Sequence, residues 1–336
     1  MNARTRGFLA ISAVVVVVGL GVGLLAYYNA GGAGAPAAGP VELSYVPSDA
    51  SAVAYANVRD IMNSEFRQKL NQVLPSGEER DKIETELGLD FERDIDALVV
   101  GMSLGAGDSS TGQGSERGIV LVRGRLNFTQ IEGLAAKHGA TLEEYRGKRL
   151  YVTPLNPDRD HPEQQAGFAL LEGDLVALGP VDTLRRAIDA AATNTNITGN
   201  ADMMRFISKI DPVSNAWIVG HFDAVSRSAS LPEEVRARIP PVQWIAASAR
   251  MNGGLSGTLS AETRDDLAGE QLRDVVRGAL AAAQLMVGQD ARLDALVKSV
   301  QVQGVGNTVT VSFTVPVEVL DMINGLAAMQ KLSADR

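Results

Sequence analysis

From Tyr45 onward, stretches in which apolar and polar residues alternate take turns with stretches in which apolar residues recur every three or four positions. These are the patterns of half-buried strands and of amphipathic helices. Ala52 to Val58 (AVAYANV) predicts a strand. Asp60 then caps a helix over 60–74 that places Ile61, Phe66, Leu70 and Val73 on one face and stops before Pro75. A charged helix is expected over 77–88. Strands over 95–104 (IDALVVGMSL) and 117–125 (RGIVLVRGR) flank the segment GAGDSSTGQGSE at 105–116. A helix over 127–138 carries Phe128, Ile131 and Leu134 inward. Hairpins come next over 141–153 and 167–179, the second turning at Gly173-Asp174, and a helix runs from Pro180 to Ala192.

The second half repeats much of this order. Ser51 to Asp60 (SAVAYANVRD) aligns with Ser214 to Asp223 (SNAWIVGHFD), each a strand ending in an aspartate placed to cap the next element. A strand pair over 242–265 turns near Asn252-Gly253-Gly254 and leads into a long helix over 266–287. GDLVALGPVDTL at 173–184 and GNTVTVSFTVPVEVL at 306–320 both run from a tight turn through a strand into Pro-Val-acid-x-Leu, good chemistry for a helix start. The expected organisation is a first repeat at 45–193 and a second at 200–330, with the 141–153 hairpin added to the first. Hairpins separated by helices predict an α+β fold, mostly antiparallel sheets with helices packed on one face. The pattern permits two domains or one continuous sheet.

Ahead of the repeats, Phe8 to Tyr28 is a run of 21 uncharged residues, long enough to cross a bilayer core of roughly 30 Å. Arg4 and Arg6 precede it and no Lys or Arg follows until Arg59. The expectation is an N-terminal cytoplasmic stub and transmembrane helix over 1–28, with the C-terminal domain extracytoplasmic. The rival is a cleaved signal peptide, whose apolar region is shorter; Pro36 behind Ala33-Gly34-Ala35 also disfavours a cut there. The Gly/Ala/Pro-rich stretch 29–44 reads as a flexible linker.

Charge and composition narrow the chemistry. The net charge of -9 becomes -11 beyond residue 28, because Arg4 and Arg6 are the only charges before it, which argues against a nucleic-acid partner. The chain has no cysteine, so disulfides, thiolate metal sites and a cysteine nucleophile are excluded. In the 105–116 segment Gly107 and Gly112 have phosphate-loop spacing, but Gln113 and Gly114 stand where Lys and Ser or Thr belong. A solvated hairpin connection is the better reading. His138, His161 and His221 are far apart in the sequence and outside metal-ligand spacing. Around His161, Asp158, Asp160 and Glu163 offer oxygens for a weak cation site, without the calcium-loop spacing. Asp60 and Asp223 read as helix caps, and Trp217, Trp244, Met203 and Met204 as packing residues. No catalytic, cofactor-binding or metal residue is assigned, and no cofactor is expected.

The layout resembles uncharacterised bacterial envelope proteins with one membrane helix, a short tether and a duplicated α+β ectodomain opening on Pro-x-Asp and an AVAY-like strand. Here those residues are Pro47, Asp49 and Ala52 to Tyr55. The resemblance implies an envelope location, here the bacterial inner (cytoplasmic) membrane with a single pass, and supplies no activity. The expected function is a non-enzymatic extracytoplasmic (periplasmic) binding or scaffolding module. Expected partners are the membrane through the N-terminal helix, and an envelope protein or a second copy in a homodimer. Two alternatives stand beside it: an anchored hydrolase whose carboxylates come from separate strands, and a lipid- or lipoprotein-handling protein with an apolar groove.

Overall fold

The computed structural model describes residues 39–65, 90–104, 116–154, 165–228, 239–287 and 291–316. Two compact units divide the chain. Among the described residues, the N-terminal unit comprises 39–59 and those between 90 and 212, and the C-terminal unit comprises 60–65 and those between 213 and 316.

In the N-terminal unit a 3₁₀ segment, Val41–Tyr45, precedes β1 (Ala52–Asn57); the chain then enters α1 (Val58–Met62), within which it leaves this unit. The Asp90 carboxylate accepts from the Glu92 and Arg93 amides and so starts α2 (Phe91–Asp94). The hairpin β2 (Ile95–Leu104) and β3 (Glu116–Gly124) leads to α3 (Phe128–Lys137), capped by Asn127. Then come β4 (Thr141–Tyr145), β5 (Lys148–Pro154), β6 (Gln165–Glu172), β7 (Leu175–Pro180), α4 (Val181–Thr193) and α5 (Ala201–Ile207). The strands pair antiparallel in the order β1-β2-β3-β7-β6-β5-β4.

Alternation along these strands separates two faces. The inner one carries Val53, Tyr55, Val99, Ile119, Leu121, Leu150, Ala169, Leu175 and Ala177, all buried. Helix α4 covers it, burying Val181, Leu184, Ala187, Ile188 and Ala190 and reaching β4 through Arg185 to Glu143 and Asp189 to the Tyr145 hydroxyl. Val46 crosses the same face at Gly101, where a Cβ would lie 2.8 Å from Val46 Cγ1. Helix α3 lies on the opposite face, with Phe128 and Ala135 against Tyr151, Leu170 and Val176.

The C-terminal unit holds β8 (Ala216–His221), α6 (Phe222–Ser228), β9 (Val242–Met251), β10 (Gly254–Thr263), α7 (Asp266–Val287), α8 (Ala291–Ser299), β11 (Gln301–Gln303) and β12 (Thr308–Pro316). Its strands also pair antiparallel, in the order β8-β9-β10-β12-β11. The Asn215 amide bonds both the N–H and the C=O of Met251, standing in for one more backbone pair. Helix α7 is fastened at its start: Gly269 passes the Gly306 carbonyl, and Arg273 donates to the Gly306 and Thr308 carbonyls. Its far half is looser, with Val275 and Leu285 exposed.

Several expectations are corrected here. Among the described residues helices are few beside the strands, and in the N-terminal unit they pack on both faces, because strands with apolar residues on both sides need cover on both. No helix among the described residues is long and apolar enough to cross a membrane. The longest of them, α7, carries Asp266, Glu270, Arg273, Asp274 and Arg277. The expected span, Phe8 to Tyr28, lies outside the described residues. Hydropathy records what a segment tolerates and does not place it, so the transmembrane fold class and the single-pass inner-membrane location are withdrawn. The 29–44 linker is also shortened at its C-terminal end, because Leu43 is fully buried. Most of the helices expected over 60–74 and 77–88 lies outside the described residues.

Candidate functional site

The outer face of the N-terminal sheet carries a row of directly paired residues, one per strand: Ala54, Val100, Val120, Leu178, Phe168, Tyr151 and Leu142. No charge interrupts it. With strands about 4.8 Å apart, seven strands make a strip about 29 Å long. Tyr151 and Phe168 stack with ring centroids 4.8 Å apart. Helix α3 covers the Tyr151 region, whereas Ala54, Val100, Val120 and Phe168 are only partly buried, and Leu178 and Leu142 are 40% and 59% exposed. The next row, Ala56, Leu98, Val122, Val176 and Leu170, is apolar as well but buried except at Val122, and Arg149 and Glu144 end it.

The C-terminal unit shows how the same chain finishes a comparably open sheet row. There the buried Trp217 begins the row on β8, and beyond it Ser248, Thr258 and Ser312 are directly paired and partly buried, with Gln301 exposed at the end. Hydroxyls and amides satisfy water on such a row, whereas leaving Val, Leu and Phe half-covered forfeits roughly 25 cal/mol for each Å² of apolar surface left wet. A contiguous apolar patch left exposed to solvent is a common mark of an interaction surface.

At the covered end, Glu132 of α3 lies among the apolar residues and pairs with Arg149 of β5, Oε1 to Nη1, at 2.5 Å. Burial, and then hydrogen bonding to Glu132, raise the Tyr151 phenol above its ordinary value.

The other polar clusters of the N-terminal unit are structural ties. Buried Glu42 accepts from Arg123 Nε at 2.5 Å, and the same guanidinium also binds Asp174 at the β6–β7 turn. The Tyr45 hydroxyl donates to Glu172 at 2.9 Å. Burial, reinforced by Glu172, pushes the Tyr45 phenol up to about 12, so it is protonated at neutral pH. Asp189 accepts from Tyr145 and pairs with Arg146, whose backbone adopts φ 48° in the β4–β5 turn. Each carboxylate in these ties faces an arginine or a phenol, an arrangement that fastens secondary structure.

The residues singled out in the sequence separate in the structure. His138 is the C-cap of α3. His221 is exposed at the end of β8 and packs against Trp244 with ring centroids 4.1 Å apart and planes tilted by 34°, beside an indole that is buried. Trp217, Met203 and Ala224, the last beside Asp223 in α6, are buried. Met204 is partly buried on α5. Asp60 and Asp223 fall in the first turns of α1 and α6. His161 with its neighbouring acids, and residues 105–115 of the glycine-rich segment, lie outside the described residues. Among the described residues no group of three or more His, Asp or Glu is placed to hold a metal. The apolar row itself was missed. Its signal was present in Leu98-Val99-Val100 and Ile119-Val120-Leu121-Val122, since consecutive apolar residues mean a strand apolar on both sides.

A family model described as "Protein of unknown function (DUF3352)" matches residues 9–288. A search of curated proteins gives no match. Among solved structures, crystal form I of TP0453 is similar with a TM-score of 0.50 at 9% identity, covering 85% of this chain and 98% of that one. Crystal form III of TP0453 gives 0.45 at 9% identity, covering 84% and 97%. At that identity the likeness concerns the fold alone.

Proposed function

The chain belongs to the DUF3352 family of proteins of unknown function, and we propose that it is a non-enzymatic binding protein that holds a linear apolar ligand, of the acyl-chain class, against the outer face of its N-terminal sheet. The observation that carries this reading is the uninterrupted row from Ala54 to Leu142. A strip about 29 Å long and one side chain wide suits an extended hydrocarbon chain. The hydroxyl-bearing row of the C-terminal unit supports it by contrast.

A fluorescent long-chain fatty acid tests the reading. Leu178 is already 40% exposed, so Leu178→Glu is compatible with folding while placing a charge in mid-row. Binding of the probe by the wild-type protein, with a loss of about tenfold or more in the variant, is expected; one buried, uncompensated charge costs several kcal/mol. Absence of binding, or equal binding by both, refutes the reading.

We infer further that the two units descend from one duplicated unit. Their strand orders correspond, β1-β2-β3-β7-β6 with β8-β9-β10-β12-β11, and in each the connection from third to last strand contains a helix. The β4–β5 hairpin is then the addition specific to the N-terminal unit.

A further inference from the structure

We infer that α3 is a movable cover on the apolar face, held down by the Glu132–Arg149 pair, and that its release extends the surface open to ligand; this rests on the apolar-ligand reading above. The interface beneath α3 is lopsided. Tyr151, Leu170 and Val176 of the sheet are buried, yet no residue of α3 is. A helix of ten residues is marginal by itself in water, so contacts with the sheet decide whether it stays.

Those contacts include an unexpected residue. Phe128, Ile131, Glu132 and Ala135 follow the i, i+3, i+4, i+7 spacing of a core-facing stripe. Glu132 therefore stands where an aliphatic side chain would seal the helix more firmly. Its carboxylate pairs with Arg149 and faces the Tyr151 hydroxyl. Among the described residues, Glu144, cross-strand from Arg149, is the other charged group on this part of the sheet face. Glu132 Oε1 is shielded from solvent, yet the Arg149 side chain that meets it is 53% exposed, so the fastening is a partly exposed ion pair and a weak one. A fastening of that kind opens more readily than a sealed apolar contact. The ends of α3 suit such movement: Asn127 caps the start, and Gly139, at φ 76°, turns the chain back toward β4.

Hydrogen exchange of residues 128–137, followed in the full chain without ligand, tests the cover independently of any ligand. Glu132→Gln and Arg149→Gln should each speed exchange about three- to fivefold, the range set by a partly exposed ion pair. Glu132→Leu should slow it. Fatty-acid probe association should follow the same order, fastest in the Gln variants and slowest in Glu132→Leu. Unchanged exchange in both Gln variants, or faster exchange in a folded Glu132→Leu, overturns the cover. Should Glu132→Leu fail to fold, the two Gln variants decide alone. If exchange behaves as expected and the wild-type protein does not bind the probe, the cover stands and the ligand reading falls.

Discussion

The Nη2 of Arg186 on α4 donates to both carboxylate oxygens of Asp49, at 2.6 and 2.7 Å. The Pro-x-Asp stretch is thereby fastened to a helix 137 residues away. Asn200 adds a second fastening, donating to the Ser48 carbonyl while accepting from the Met203 amide at the start of α5. Asn200→Ala removes both bonds and should destabilise the protein by about 1–2 kcal/mol. Arg186→Ala should cost under about 1 kcal/mol, because Asp49 is mostly exposed. Denaturant midpoints of the two variants would show the order, and a larger loss in Arg186→Ala would contradict it.

Arg123 bears a heavier load. Its removal leaves the Glu42 carboxylate, 5% exposed, without its partner, and loss of one member of a buried pair costs about 3 kcal/mol. Arg123→Ala should therefore unfold far earlier in urea than wild type. Asp174→Asn, which alters the half-exposed member of the same cluster, should shift the midpoint by less than about 1 kcal/mol.

Alkaline stability depends on Tyr45. The unfolded phenol titrates near 10.0 and the folded one at about 12, so the folded chain binds this proton more tightly between those values. The corresponding stability is whole below about pH 10 and is lost as the pH rises toward 12. Unfolding midpoints measured from pH 9 to 12 should fall less steeply in Tyr45→Phe than in wild type. Superimposable profiles would refute the assignment.

Two glycines of α7 should respond oppositely to alanine. A Cβ at Gly269 would lie 2.3 Å from the Gly306 carbonyl oxygen, whereas one at Gly278 meets nothing within 4 Å. Gly269→Ala forces the helix off its strand and should cost about 1–3 kcal/mol. Gly278→Ala should stabilise by roughly 0.5–1 kcal/mol, through helix propensity and a less disordered unfolded state. Thermal melts of the two single variants decide it.

What the sequence made legible was local. The expected bounds of β2 and α7, 95–104 and 266–287, are those observed, because period and caps are properties of neighbouring residues. Partnerships were not legible. Nothing in the stretch around Pro47 and Asp49 announces Arg186, and Glu132 looks like a surface acid until Arg149 is placed beneath it. The apolar row is harder still, since its seven members come from seven strands and meet only once β3 is paired with β7 across more than fifty residues. Of the residues expected inward on α3, Phe128 packs on the sheet cluster, and Phe128, Ile131 and Leu134 are all only partly buried. Periodicity names a side and is silent on how tightly that side is pressed.

In β3 the residue that anchors the core, Leu121, sits between Val120 and Val122 of the half-open face. Alternation thus interleaves two kinds of selection along one strand. On the apolar-ligand proposal, exchanges among Val, Ile, Met and Phe at 120 or 122 can reshape what the surface accepts without removing the hydrophobic contacts that Leu121 makes on the other side. A lineage carrying this fold can therefore drift in preference one position away from a residue it cannot change.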